Sequence, residues 1–225
     1  MLPRKVKTHL VVSIVLCTFF LACRNSEHNK ERSETAKVES PSVSANADQE
    51  KHYIEEVLQF RMEKDSFLLT SPRSPIKKED RQTFQHLKYY EVNPQFVVKA
   101  TLHRDEKQPP IAITTTTGET RDAVSYGKLE FTLLGKPFHL KAYKFADRRS
   151  EGELFVPFTD STSGRETYGA GRYLDLEENE TGEYALDFNK AYNPYCAYNE
   201  EYSCPIPPRE NRLSLAITAG EKIYH

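Results

Sequence analysis

The chain has 225 residues, 38% hydrophobic content and a formal net charge of -2. That length can bury one good core, and the near-balanced charge supplies no strong field of either sign for nucleic acid or a membrane surface. Tryptophan is absent against 13 tyrosines and 12 phenylalanines, a composition that leans towards strands and aromatic packing.

The first residues are the most specific. Arg4, Lys5 and Lys7 form a basic head, and residues 10–22 are an almost unbroken apolar run that ends in Leu21, Ala22 and Cys23. A basic head, a short greasy middle and small residues before a cut make a secretory signal. The run of about thirteen residues falls short of the roughly 20 that a spanning helix needs. Leu21, Ala22 and Cys23 resemble the lipobox of bacterial lipoproteins, which implies cleavage after residue 22 and a lipid on the Cys23 thiol. An uncleaved anchor or an ordinary signal peptide is the competing reading. Several acyl chains on one residue hold a protein stably at a membrane where a single chain is marginal. The expected location is therefore the cell envelope, with the membrane as a partner through Cys23. No aspartate follows Cys23, which favours the outer membrane if the host has one.

Residues 23–49 are polar and lack aromatics, and read as a flexible tether because they cannot bury enough to order themselves. A single β-rich domain is expected over 50–225. Cys17 leaves with the signal and Cys23 is lipidated, so Cys196 and Cys204 remain as a pair in an exporting compartment.

The domain opens on a helix. Tyr53, Ile54, Val57, Leu58 and Phe60 recur at helical spacing up to a break at SPRSP, and a second short helix is expected over 78–87. Beyond Asn93 the period becomes two. Phe96, Val98, Ala100 and Leu102 form one alternating set, and Leu129, Phe131 and Leu133 another. Gly135 and Lys136 fit a two-residue hairpin turn leading to Phe138, Leu140 and Ala142. A second hairpin at 178–182 is expected to join strands over 172–176 and 183–188, and Leu213, Leu215 and Ile217 read as a last strand. The fold class is mainly β, an antiparallel sandwich or barrel of about eight or nine strands behind one or two N-terminal helices.

The stretches TTTTGETRDAVSYGKLEF, FVPFTDSTSGRETYGAGRYLDLE and DFNKAYNPYCAYNEEYSCPIPPRENRLSLAITAGEK resemble the bacterial family catalogued as domain of unknown function 1684. The resemblance reaches from about Glu50 to Lys222. It implies domain limits and carries no activity, so it assigns no catalytic residue.

The residues themselves offer a few candidates. Cys196 and Cys204 sit in a turn-rich strap with four tyrosines and four prolines. A structural disulfide leads there over two buried thiols and over a redox or metal role. No metal is expected, since the strap lacks CxxC spacing and nearby histidines, and no cofactor is implied. The strap can cover an open sheet edge, or it can cover a site. Arg172 shares a strand face with Leu174 and Leu176, so its guanidinium should be interior and must be paired. Asp160, Glu166 and Asp187 are its candidate partners. With Tyr168, Asn189 and Asn193 they form either a structural ion-pair network or a polar pocket for a small acidic or carbohydrate-like ligand.

Gly169 and Gly171 could turn backbone amides towards an anion, although a lone GxG is more often a bulge. SxxK at Ser74 and Lys77 lacks its companion motifs. Two functional readings result. One is a lipid-anchored binding or interaction module with a pocket near Arg172. The other is an envelope hydrolase using Asp160, Glu166 and Asp187, or Ser163 with His139 as base. No partner nucleic acid is expected.

Overall fold

The computed structural model describes residues 41–145 and 152–225. The apolar leader, Cys23 and the first part of the expected tether lie outside the described residues. Helix α1 runs Pro41–Thr70, starting upstream of the expected limit at Glu50. Its packed stripe is Val57, Arg61, Lys64 and Leu68, while Leu58 and Phe60, expected on the apolar face, are exposed. The i, i+4, i+7 spacing holds, and Arg61 joins the stripe because its guanidinium finds acceptors. It donates to the Tyr90 and Asn189 carbonyls at 2.9 and 3.3 Å and lies over the Tyr89 ring. The expected second helix is reduced to one 3-10 turn, Asp80–Gln82.

Seven strands follow: β1 Val97–Arg104, β2 Pro110–Thr114, β3 Thr120–Leu133, β4 Lys136–Phe145, β5 Glu153–Phe158, β6 Arg172–Glu177 and β7 Glu183–Asp187. They form one antiparallel sheet in the order β6-β5-β4-β3-β1-β7, with β2 on β3. The two ends of that order, β6 and β7, are consecutive in sequence, so the sheet curls nearly into a barrel. Inward side chains of β1, β3, β4, β5, β6 and β7 fill it: Leu102, Leu129, Leu140, Val156, Leu174 and Leu186 all belong to the main core.

The sheet corrects several sequence expectations. Segments 172–177 and 183–187 do not pair with each other; β6 bonds to β5 and β7 to β1, because these two strands form opposite edges of the curl. The turn between β3 and β4 is Leu134–Gly135, one residue earlier than expected, with φ of 50° and 75°. A one-residue slip would send every side chain of the strand to the wrong face. The buried Leu133, Leu129 and Leu140 fix the register and force Leu134 into the left-handed region. Residues 213–217 bury Leu213 and Ile217 as alternation predicts but form no strand; Leu213 N and Ser161 N make isolated bonds to Thr159 O and Leu215 O. The described residues thus form seven strands where about eight or nine are expected. Strand β5 escapes a period-two reading because Leu154 through Phe158 are all buried.

Candidate functional site

Arg172 lies at one end of the barrel, wholly buried. Its Nη2 donates to Asp160 Oδ2 and to the Ile217 carbonyl, each at 2.8 Å. Its Nη1 donates to the Glu221 carbonyl at 3.1 Å and to that of Ala219. The other carboxylate oxygen of Asp160 accepts from Thr162 N and Oγ1, both at 2.6 Å. Backbone carbonyls, Thr162 and the Phe158 ring enclose this pair, Arg172 Nε alone of the guanidinium nitrogens is buried without a hydrogen-bond partner among the described residues, and Arg172 lines none of the larger cavities there. The pocket expected at Arg172 is therefore an anchor that holds the C-terminal segment to the barrel.

The other expected residues are dispersed. Glu166 is exposed and accepts from Tyr90 OH at 3.1 Å. Asp187 accepts from Tyr53 OH at 2.8 Å and from Asn189 N at 3.0 Å. Asn189, fully buried, donates to Tyr53 OH and the Asn93 carbonyl, which ties α1 to β7. Asn193 N donates to Glu221 Oε2 at 2.8 Å. Ser163 Oγ accepts from the Asp160 amide in a tight turn, while His139 lines an open groove over β1, β3 and β4. Gly171 N closes a turn onto Tyr168 O, so that amide is already spent within the turn. None of the larger cavities among the described residues unites these carboxylates with Ser163 or His139.

The strap does build a site, on the outer face of the sheet. It starts by pairing with the β6 edge, where Tyr173 N and Tyr192 N exchange bonds with the facing carbonyls at 2.9 and 3.1 Å. It ends on the free edge of β2: Ile206 N donates to Thr114 O at 2.8 Å and Thr116 N to Cys204 O at 2.9 Å. Tyr173 OH donates to Pro205 O beneath it. Unpaired edges are liabilities, and the strap occupies both of these. Between strap and sheet a cleft of about 470 Å³ remains.

Side chains from β3, β4, β5 and β6 that point away from the barrel floor this cleft: Arg121, Phe145, Glu153, Phe155, Tyr173 and Asp175. Tyr192, Tyr195, Tyr202 and Ser203 of the strap form the other wall. The rings meet at steep angles, with Phe155 and Tyr173 edge-to-face at 4.6 Å, Tyr173 and Tyr192 at 5.7 Å, and Tyr195 and Tyr202 at 5.4 Å. Asp175 is solvent-accessible but accepts from Tyr192 OH at 2.5 Å, and the protein packed around it raises its carboxyl above the usual range. Strand alternation already separates Tyr173 and Asp175 from Arg172, so the relevant face of β6 was readable. That the strap lies over it was not.

The family described as "Protein of unknown function (DUF1684)" matches residues 82–222. The chain belongs to the DUF1684 family. A solution NMR structure of the uncharacterized protein from gene locus rrnAC0354 of Haloarcula marismortui is 36% identical, with a TM-score of 0.60 over 78% of this chain and 96% of that one. No curated protein matches. The match to DUF1684 spans all seven strands, the strap and every residue lining the cleft; α1 precedes it.

Within this DUF1684 domain the strap cysteines are neighbours and both are free thiols. Cys196 N donates to Cys204 Sγ at 3.2 Å, and Tyr168 OH lies 3.6 Å from Cys196 Sγ. Hydrogen bonding from the Cys204 thiol, helped by Tyr168 and Thr116, lowers Cys196 to about 6, while the same contact and burial push Cys204 up. A folded value below the unfolded one means the Cys196 thiolate contributes stability above the ordinary thiol range, lost as pH falls through about 6. In the reduced protein, iodoacetamide should alkylate Cys196 with a pH midpoint near 6, leaving Cys204 unreactive at neutral pH. Equal, ordinary midpoints for both thiols would contradict this arrangement.

Proposed function

We propose that this protein is a lipid-anchored component of the cell envelope whose β domain is a binding module, with the cleft beneath the strap as its ligand site. The observation that carries the reading is the cleft itself: a cavity of about 470 Å³ walled by aromatic rings, with polar groups at a few fixed points. Small-molecule sites have this character, mostly apolar with a small number of placed polar groups. Asp175 and Glu153 outnumber Arg121 in the lining, which disfavours the acidic ligand that an accessible Arg172 would have attracted and leaves neutral or cationic ones.

Anchoring is supported by the basic head, the short apolar run and the cysteine at residue 23. The outer membrane is favoured if the host has one. In such a compartment Cys196 and Cys204, already in contact, would close a disulfide. A bridged loop of about nine residues restrains the unfolded chain by roughly 2.5 kcal/mol. A second reading, an envelope hydrolase, draws on Asp175 and Glu153 lining one cavity.

One experiment addresses anchor, bridge and ligand together: native mass spectrometry of the full chain purified from its host. The expected species starts at Cys23, carries acyl chains there, lacks the two thiol hydrogens of the strap, and retains a small molecule that Tyr195→Leu loses. A chain that begins at Met1 without acyl groups removes the envelope assignment. A variant that keeps its bound molecule removes the cleft.

A further inference from the structure

The cleft resembles a box more than a platform. Its ring pairs meet edge-to-face, Phe155 with Tyr173 at 74° and Tyr195 with Tyr202 at 79°, so neighbouring π-faces stand nearly at right angles. A pyranose ring is recognised by one flat aromatic face together with a set of unspent hydrogen-bonding groups. Here three of the hydroxyls around the cleft are already committed. Tyr173 donates to Pro205 O, Tyr192 to Asp175, and Ser203 to Thr115 Oγ1 at 2.8 Å. A compact, roughly spherical cation has the opposite needs: several π-faces around it, a carboxylate nearby, and few donors.

The wall chemistry agrees. Asp175 and Glu153 place two carboxylates in the lining against the one guanidinium of Arg121. The aromatic surface here already holds cations of the protein's own. The Arg121 guanidinium lies 4.2 Å from the Phe145 centroid within the lining, and Lys64, which is not part of the lining, approaches the Tyr192 ring at 4.6 Å. Tyr195, the most exposed of the strap rings, lines the cleft and is open to an entering ligand.

Resting on the reading of the strap cleft as a ligand site, we infer that its ligand carries a methylated or quaternary ammonium head, held by the orthogonal aromatic walls and by Asp175. Binding puts a positive charge beside a carboxyl that its surroundings hold above the usual range, so ligand and ionised Asp175 favour each other.

The test uses the full chain and four probes: choline, tetramethylammonium, the neutral choline isostere 3,3-dimethylbutan-1-ol, and a neutral disaccharide. Binding is read by calorimetry and by the ring resonances of Tyr195 and Tyr202. The expected result is that choline binds at least about tenfold more tightly than its neutral isostere. Asp175→Asn should narrow that gap, and Tyr195→Leu should weaken choline about fivefold or more at an unchanged unfolding midpoint. Equal binding of choline and its isostere overturns the cation proposal while keeping an apolar ligand site. A disaccharide that shifts the cleft resonances when choline does not overturns it in favour of a sugar, again leaving the binding module intact. If no probe moves those resonances and the chain from its host carries no bound molecule, the cation proposal and the ligand-site reading fall together.

Discussion

Replacing Arg172 by methionine should destabilise the domain by about 3–5 kcal/mol, enough to unfold much of it at physiological temperature. The guanidinium is fully enclosed and bonds to Asp160 and to the carbonyls of Ile217, Ala219 and Glu221. Methionine restores apolar volume but leaves the Asp160 carboxylate without its cation and three backbone acceptors unpaired, which is where the cost arises. Urea denaturation of Arg172→Met, Asp160→Asn and the double variant measures it. The double variant should be more stable than the sum of the singles predicts, since it no longer buries an uncompensated charge. Strict additivity, or a cost for Arg172→Met below about 1 kcal/mol, would show that this ion pair does not anchor the C-terminal segment.

Gly171→Ala should be comparably damaging, with a loss of at least about 2 kcal/mol. Gly171 sits at φ +95°, a conformation L side chains rarely adopt, and an added Cβ would stand 2.5 Å from the Phe158 carbonyl and 2.7 Å from Pro207 Cγ. Neither neighbour can yield, because Phe158 belongs to the core strand β5 and Pro207 follows the strap where it is pinned to β2. Thermal unfolding should show a clear drop in midpoint. Gly169→Ala is the control, since an added Cβ there meets nothing closer than 3.6 Å. Equal effects at the two positions would show that neither the left-handed backbone nor the crowding at Gly171 sets the requirement.

These two positions are adjacent in sequence, yet local pattern reveals different things about them. Arg172 was legible as an interior charge because the alternation of Arg172, Leu174 and Leu176 needs no knowledge of other strands. What surrounds it was not legible. Three of its acceptors are carbonyls more than forty residues away, at the end of the 213–217 stretch whose alternation looks like a strand and just beyond it. A period of two reports which side chains are buried and says nothing about whether the backbone finds a pairing partner. The same gap explains the mispaired hairpin. Residues 178–182 have the composition of a hairpin turn, yet the curl of the sheet sends β6 and β7 to opposite edges, and the connection bridges the seam.

By itself, the sequence determined the class of the fold, the main inward faces of its strands, the interior position of Arg172, and the family, because each rests on local periodicity or on contiguous residues. It also placed the strap cysteines, tyrosines and prolines in one segment. Only the tertiary structure decided that this segment crosses from the β6 edge to the β2 edge, that it covers the face opposite Arg172, and that Tyr173 and Asp175 thereby line a cleft. The physical reason is that a site of this kind is made by long-range hydrogen bonds between sheet edges and a loop. Their partners are set by how the sheet closes on itself, a property of the whole chain that no window of sequence contains.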